Sequence, residues 1–233
     1  MLRKSPSFAI ATVLTLAIAI GANTVALATF DALILRPLNV PHAGNLYEAG
    51  RVNQENESYP GYLDLRERNR SFESLSAVMF AQEELDTGDG ASPEWGYKTS
   101  GNYFDVLGIQ PYLGRFFNSS DENGPNSAPF MVLTYAYWHT HFHDDPGVSA
   151  HSVRLNKSRV TVIGIAPPGF RGTLVGFSPS FFIPIVMAGQ DLNARGNRAV
   201  DKLMGHLRPG ITPAQATDDL NDWLLATEDI SPE

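Results

Sequence analysis

Between Phe8 and Phe30 the chain runs for 23 residues, FAIATVLTLAIAIGANTVALATF, without a single charge. As a helix rising about 1.5 Å per residue, such a run measures roughly 34 Å, enough to cross a hydrocarbon core of about 30 Å. Its polar side chains are threonines and Asn23, which lipid tolerates because a helix bonds its own backbone. Arg3 and Lys4 precede the run, and Asp31 is the first charge after it. Positive charge is retained on the cytoplasmic side, so residues 1–7 are expected as a cytoplasmic stub, 8–30 as a transmembrane helix and the remainder outside. The same stretch also fits a cleaved export signal, with Met1 to Lys4 as its basic start, Phe8 to Ile20 as its apolar centre and Ala26-Leu27-Ala28 as its small-x-small site. Under both readings the rest of the chain is exported.

The roughly 200 residues that follow leave room for one large domain or two small lobes with real cores. Apolar residues make up 43% of the chain and charged ones 18%, a balance that folds rather than one that stays disordered. The formal charge is −8, and the exported part is more acidic still because Arg3 and Lys4 lie before it. Nucleic acid and anionic lipid headgroups call for clustered Lys and Arg, so no nucleic-acid partner is expected. With no cysteine in the sequence, disulfides, thiol catalysis and Cys-ligated metal are excluded.

Local signals then order the elements. LILRPLNVPHAGN reads as an irregular exit from the membrane, and Leu46 to Asn53 as a strand. Ser58-Tyr59-Pro60 announces a helix to about Asn69, whose DLRERNR reads as a solvated face, and Phe72 with Leu75 reads as a further turn on the core. AVMFA and EWGYKT read as strands around a polar loop through Gly88-Asp89-Gly90. YFDVL reads as a short helix closed by Gly108, Asn118 to Pro129 as a surface loop, FMVLT as a buried strand and YAYWHTHFH as a helix. HSVRLNKSRVTVIGIA reads as a hairpin turning at Asn156-Lys157. FFIPI reads as a strand that Pro184 places at an edge, KLMGHLR as another strand, and Thr212-Pro213 as the cap of a final helix to about Thr227.

Few residues suggest chemistry. His139, His141 and His143, followed by Asp144 and Asp145, form the one metal-like cluster; a strand would put all three imidazoles on one face, whereas a helix aligns only His139 and His143. The helix reading leaves a surface patch, and no metal site is assigned. Gly176-Phe177-Ser178-Pro179 lacks the glycine that would complete a nucleophile elbow. Glu83, Glu84 and Asp86 are carboxylates that a glycosidase could use, but their context reads as a solvated loop. No phosphate-binding loop is present. Catalytic, cofactor-binding and metal residues are all expected to be none.

The ordered series MLRKSP, LTLAIAIGANTV, LRPL, SYPGYLDLRERNRSFE, SGNYFDVLGIQPYLGRFF, VLTYAYW, RLNKSRVTVIGIAPPGFRGT and LRPGITPAQA resembles the MacB-type ABC transporter permeases, in particular the duplicated orphan permeases common in acidobacteria. The likeness runs over about residues 1 to 227. It implies a retained first membrane helix and a MacB-like periplasmic core domain over 31–233. That domain would have an α/β lobe from about 42–80 and 200–233, with a more β-rich lobe, about 81–199, inserted between them. It further implies a cytoplasmic ATPase that moves membrane helices, with the motion passed to the periplasmic domain. A permease of this type has at least three more membrane helices after the core domain, whereas this sequence stops at Glu233, and the basic segment before the anchor is cut to seven residues. The histidines of HTHFHDDP stand where relatives more often show Arg and Gly.

The fold class expected is therefore α+β, with one N-terminal transmembrane helix followed by a two-lobed mixed α/β periplasmic domain, a βαβ-type lobe with its β-rich insert. The function expected is that of a non-catalytic, extracytoplasmic module of an ABC-type permease in a bacterial inner membrane. Membrane lipid would be contacted through residues 8–30, and an ATPase subunit and further permease helices would be partners. A stand-alone periplasmic binding or adaptor protein, and an exported metal-dependent hydrolase, are the alternatives.

Overall fold

In the computed structural model, residues 6–30, 39–49, 56–174 and 177–228 are described. The chain divides into two compact units, residues 1–38 with 173–177, and residues 39–172 with 178–233. In the first unit, α1 (Pro6–Phe30) is continuous over 25 residues, and Thr24 donates its hydroxyl back to the Ile20 carbonyl at 2.8 Å. Val13, Leu14, Leu16, Ile18, Ile20 and Val25 are all exposed on it, so it is apolar on every side. Among the described residues, no helix is long and apolar enough to cross a membrane.

The second unit is built on one mixed nine-stranded sheet of β1 (Leu46–Ala49), β2 (Phe72–Asp86), β3 (Ala91–Thr99), β4 (Leu113–Gly114), β5 (Phe130–Leu133), β6 (Ser152–Leu155), β7 (Ser158–Ile165), β8 (Phe181–Pro184) and β9 (Lys202–Leu207), in the order β1-β9-β2-β3-β8-β5-β7-β4, with β6 pairing both β2 and β7. It begins with β1 (Leu46–Ala49); the rest of the strand expected to Asn53 lies outside the described residues. Next comes α2 (Tyr59–Arg68), where the Ser58 hydroxyl accepts the Gly61 N–H at 3.0 Å and Pro60 sits in the first turn. Such a cap satisfies one of the amides a helix start leaves open.

β2 (Phe72–Asp86) departs from expectation at both ends. Phe72 and Leu75 belong to this strand and not to a turn. A register shift against β9 between Phe72 and Ser74 places these two residues, three apart, on the same buried face. An odd spacing shares a strand face only through such a bulge. At the far end, Gln82 to Asp86 continue the strand because β3 (Ala91–Thr99) pairs with it from Val78 to Asp86, and β6 with Leu85 and Asp86. Backbone pairing on both flanks outweighs the low strand propensity of Gln, Glu and Asp.

α3 (Tyr103–Leu107) ends on Gly108 at φ 65°, the left-handed cap its position suggests. β4 (Leu113–Gly114), β5 (Phe130–Leu133), α4 (Tyr135–Phe142), β6 (Ser152–Leu155) and β7 (Ser158–Ile165) follow. The β6–β7 hairpin turns at Asn156, φ 53°. β8 (Phe181–Pro184) is an interior strand, parallel to β3 and antiparallel to β5. Pro184 is nevertheless tolerated: it is the last residue of the strand, and the β5 ladder involves only Phe181 and Phe182, so no bond to β5 is lost. β9 (Lys202–Leu207) and α5 (Pro213–Glu228) close the chain. Thr212 and Gln215 bond reciprocally at the start of α5.

Two apolar clusters lie on this sheet. One gathers Tyr62, Leu65, Leu75, Leu203, Leu207 and Ala216, joined by Ile185 and Leu192. The other gathers Leu85, Leu133, Trp138, Val153, Val162 and Ile183. β2 supplies residues to both, and at Val78 it pairs at once with Lys202 of β9 and Thr99 of β3.

Candidate functional site

The residues singled out for chemistry do not converge. α4 stops at Phe142, and His143 has already left the helix with φ 50°, so it does not stack one turn below His139. The helical alignment expected of that pair is replaced by a contact between His139 Nδ1 and the Asp144 carboxylate at 2.9 Å, because Asp144, also left-handed at φ 62°, turns the chain back along the helix. His141 stacks on Tyr137 with ring centroids 3.9 Å apart, and Asp145 caps the following turn through the Gly147 N–H. Among the described residues, no group of three or more His, Asp or Glu side chains could hold a metal ion. The double variant His139→Ala, His143→Ala is expected to unfold within about 0.5 kcal/mol of the parent, as at ordinary surface positions. Thermal melts with and without zinc check this, and a large zinc-dependent shift lost in the variant would refute it.

Glu83, Glu84 and Asp86 lie on β2 and not in a solvated loop. Glu83 pairs with Lys98 at 2.6 Å and also accepts from the Asn156 side chain, while Asp86 accepts the Gly88 N–H. The Glu83 and Asp86 carboxylates are thus engaged in holding strands and turns, and Glu84 bonds Asn156 through its backbone. Ser178 is exposed.

A cleft of about 290 Å³ lies between α2 and α5, with Leu65, Phe72 and Trp223 among its walls and Arg68, Asp219 and Asp222 at its rim. Ser71 donates its hydroxyl to Asp219 across it. The rim carries both signs of charge and no arrangement of nucleophile and base.

A partly buried polar cluster lies where α2 meets the segment 100–122. Tyr62, fully buried, points its hydroxyl at the Leu75 carbonyl and at Asn102 Oδ1, both at 3.3 Å. Asn102 in turn donates to Leu75 O at 2.7 Å and accepts from the Ser100 hydroxyl at 2.7 Å. Arg66 lies over the Tyr62 ring, 5.4 Å from its centroid, with Nη1 3.4 Å from the hydroxyl. Gly101 sits so close to the Asn118 backbone that a Cβ there would come within 2.6 Å of the Asn118 carbonyl carbon. Beyond it, Asn118 and Asp121 cap a short turn, which carries Glu122 inward toward Tyr59 and Arg66.

Burial pushes the Glu122 carboxyl above the ordinary 4.5, opposed by the Gly101 N–H and by the Arg66 guanidinium. Burial, and then the Glu122 charge, raise the Tyr59 phenol as well. A carboxyl raised on folding stabilises the fold when protonated, and that contribution is lost as pH rises through the interval above 4.5. The stability difference between wild type and Glu122→Gln is therefore expected to grow from near zero at low pH as pH rises through that window, with the variant the more stable. Denaturant midpoints measured at matched pH would show a flat difference if Glu122 were not buried as a charge.

This cluster was not apparent from sequence. Glu122 lies in NSSDENGPN, whose composition reads as loop, and Arg66 in DLRERNR, which reads as solvent-facing throughout. Leu65 is in fact buried and Arg66 partly so. The signal available was the tyrosine pair Tyr59 and Tyr62, whose hydroxyls need partners once buried, with Arg66 one turn after Tyr62 on the same face.

The family model for the MacB-like periplasmic core domain matches residues 9–223, and the chain belongs to that family. The fold is shared with three solved structures. The periplasmic region of MacB from Actinobacillus actinomycetemcomitans aligns at 15% identity with a TM-score of 0.61, covering 79% of this chain and 83% of that one. The extracellular domain of the noncanonic ABC-type transporter YknZ from Gram-positive bacteria aligns at 14% identity with a TM-score of 0.59, covering 81% and 97%. A domain of a protein described as a permease from Porphyromonas gingivalis aligns at 15% identity with a TM-score of 0.59, covering 84% and 88%. A search of curated proteins returned no match. A MacB-like periplasmic domain of ABC permease type is thus the class that the fold and family define.

Proposed function

We propose that this chain is a non-catalytic module of an ABC-type permease, held in the bacterial inner membrane by residues 8–30 with residues 1–7 in the cytoplasm. The module passes motion between membrane helices and the periplasm, and partner subunits supply the ATPase and the further helices. The family match over residues 9–223 carries this reading. The anchor is supported by α1, whose described large apolar side chains are exposed around the whole helix, a surface that requires an apolar surrounding. The division into an α/β lobe of about 42–80 with 200–233, and an inserted lobe of about 81–199, is supported by the two apolar clusters, the first of which also takes in Ile185 and Leu192 from the insert.

Tagged full-length chain extracted from native membranes with mild detergent tests the proposal. Intact mass is expected to include the residues before Ala28, and an ATPase with a phosphate-binding loop and a polytopic membrane subunit are expected to co-purify. A mature chain starting at Thr29, or a chain recovered alone from the membrane under conditions that preserve such complexes, would sink it.

A further inference from the structure

We propose that Tyr62, Arg66, Asn102 and Glu122 form a poised joint, closed in this structure, whose opening lets the inserted segment 81–199 turn about β2 relative to the rest of the domain. The proposal rests on the two-lobed, motion-transmitting reading above and names where that motion is admitted. β2 is the strand that runs through both apolar clusters, and it changes partners at Val78, where β9 pairing gives way to β3 pairing. On either side of that residue the ladder is completed by side chains. Ser100 Oγ accepts the Ala77 N–H at 2.9 Å, and Asp201 Oδ2 accepts the Phe80 N–H at 2.6 Å. A continuous strand with side-chain bonds at the changeover can twist locally without losing its pairing to β9 or to β3.

Short bonds cross here at Asn102 to Leu75 O, 2.7 Å, and between Ser100 and Ala77, 2.9 Å, whereas the contacts of Tyr62 and Arg66 that close over them are long and shared. Tyr62 has one hydroxyl proton and two acceptors, each at 3.3 Å, so it can bond fully to only one of them. Arg66 approaches that hydroxyl no closer than 3.4 Å. Among the described residues, Glu122 Oε1 is buried without a hydrogen-bond partner, and Arg66 is the one cation among the groups that act on the carboxyl, the others being the Gly101 N–H and Asp121. A buried carboxylate so poorly compensated costs free energy in the closed form that water would return on opening. The two states are thereby brought close in energy, as a moving part requires.

The consequence is a pair of substitutions with opposite signs. Glu122→Gln keeps an acceptor for the Gly101 N–H but removes the buried charge, and so favours the closed joint. Arg66→Met keeps the apolar stem on the Tyr62 ring but leaves Glu122 uncompensated, and so favours the open one. A salt bridge that merely holds the fold would be weakened by both.

Amide hydrogen exchange on the full chain in detergent reads the difference at Ala77 and Ser100, whose N–H groups are bonded across the joint. Protection there is expected to rise roughly tenfold in Glu122→Gln and to fall roughly tenfold or more in Arg66→Met, with the β6–β7 hairpin unchanged in both. Shifts of the same sign in the two variants, no shift in either, or equal changes in the hairpin would overturn the joint. If Arg66→Met is recovered unfolded, Glu122→Gln alone decides, with unchanged or lowered protection counting against. The measurement needs no partner subunit, so a failed joint and a failed permease assignment are separate results.

Discussion

Phe182→Ala is expected to destabilise the second unit by about 3–5 kcal/mol, the range for deleting a buried aromatic side chain whose cavity cannot collapse. Phe182 is fully buried on β8, where it meets Tyr97 edge-on at 5.5 Å, Phe104 at 5.5 Å, Phe170 at 5.6 Å and Tyr103 at 6.0 Å. The rings come from β3, α3 and the loop after β7, so the void would open where three elements meet and none could close it without leaving its own hydrogen bonds. Chemical denaturation of the full chain followed by near-ultraviolet circular dichroism checks this. Phe182→Leu, which keeps most of the volume, is expected to recover more than half of the loss. A cost below about 1.5 kcal/mol for the alanine variant, the range of volume-conserving swaps, would show that the surrounding rings close over the void.

Gly101→Val carries the second large effect. An added Cβ would lie 2.6 Å from both the carbonyl carbon of Asn118 and the amide of Ser119. These are backbone atoms, held by the Asn118–Asp121 capping box, and cannot rotate aside. Overpacking of this kind typically costs 1–3 kcal/mol, and a β-branched side chain against fixed backbone belongs at or above about 3 kcal/mol. The displaced turn also carries Glu122, so the variant is expected to lose the pH-dependent difference described for that residue. The same measurements at Gly44→Val, where no atom lies within 4 Å of the added Cβ, supply the control. Comparable losses at both glycines would mean that the tight approach is not the cause.

Elements with a local cause were legible in the sequence. Ser58 with Pro60, Thr212 with Pro213, Gly108 after YFDVL and Asn156 between two alternating runs each act through the backbone within three or four residues, and each appears where its chemistry places it. The family was legible too, because an ordered series of short motifs is fixed by the sequence alone. Less legible were features set by a partner distant along the chain. Phe72 and Leu75 read as a turn because a spacing of three suits a helix, and only the bulge against β9 puts both on one strand face. Pro184 read as an edge because no local signal tells that β5 pairs only the first half of β8. His139 meets Asp144 and not His143 because two successive left-handed residues end α4 early.

By itself, then, the sequence determined the apolar run of 8–30, the capped elements and the family, since each depends on composition, on an ordered series of motifs or on bonds closed within a turn. Tertiary structure alone decided the single mixed sheet, the length of β2 and the gathering of Tyr62, Arg66, Asn102 and Glu122. Residues 62 and 122 lie 60 positions apart, and DLRERNR and NSSDENGPN each carry enough charge to be at home in water. Desolvation gave them a role only when α2 and the 118–122 turn were brought against each other, and no pattern of hydrophobicity along one segment records which polar face another segment will cover.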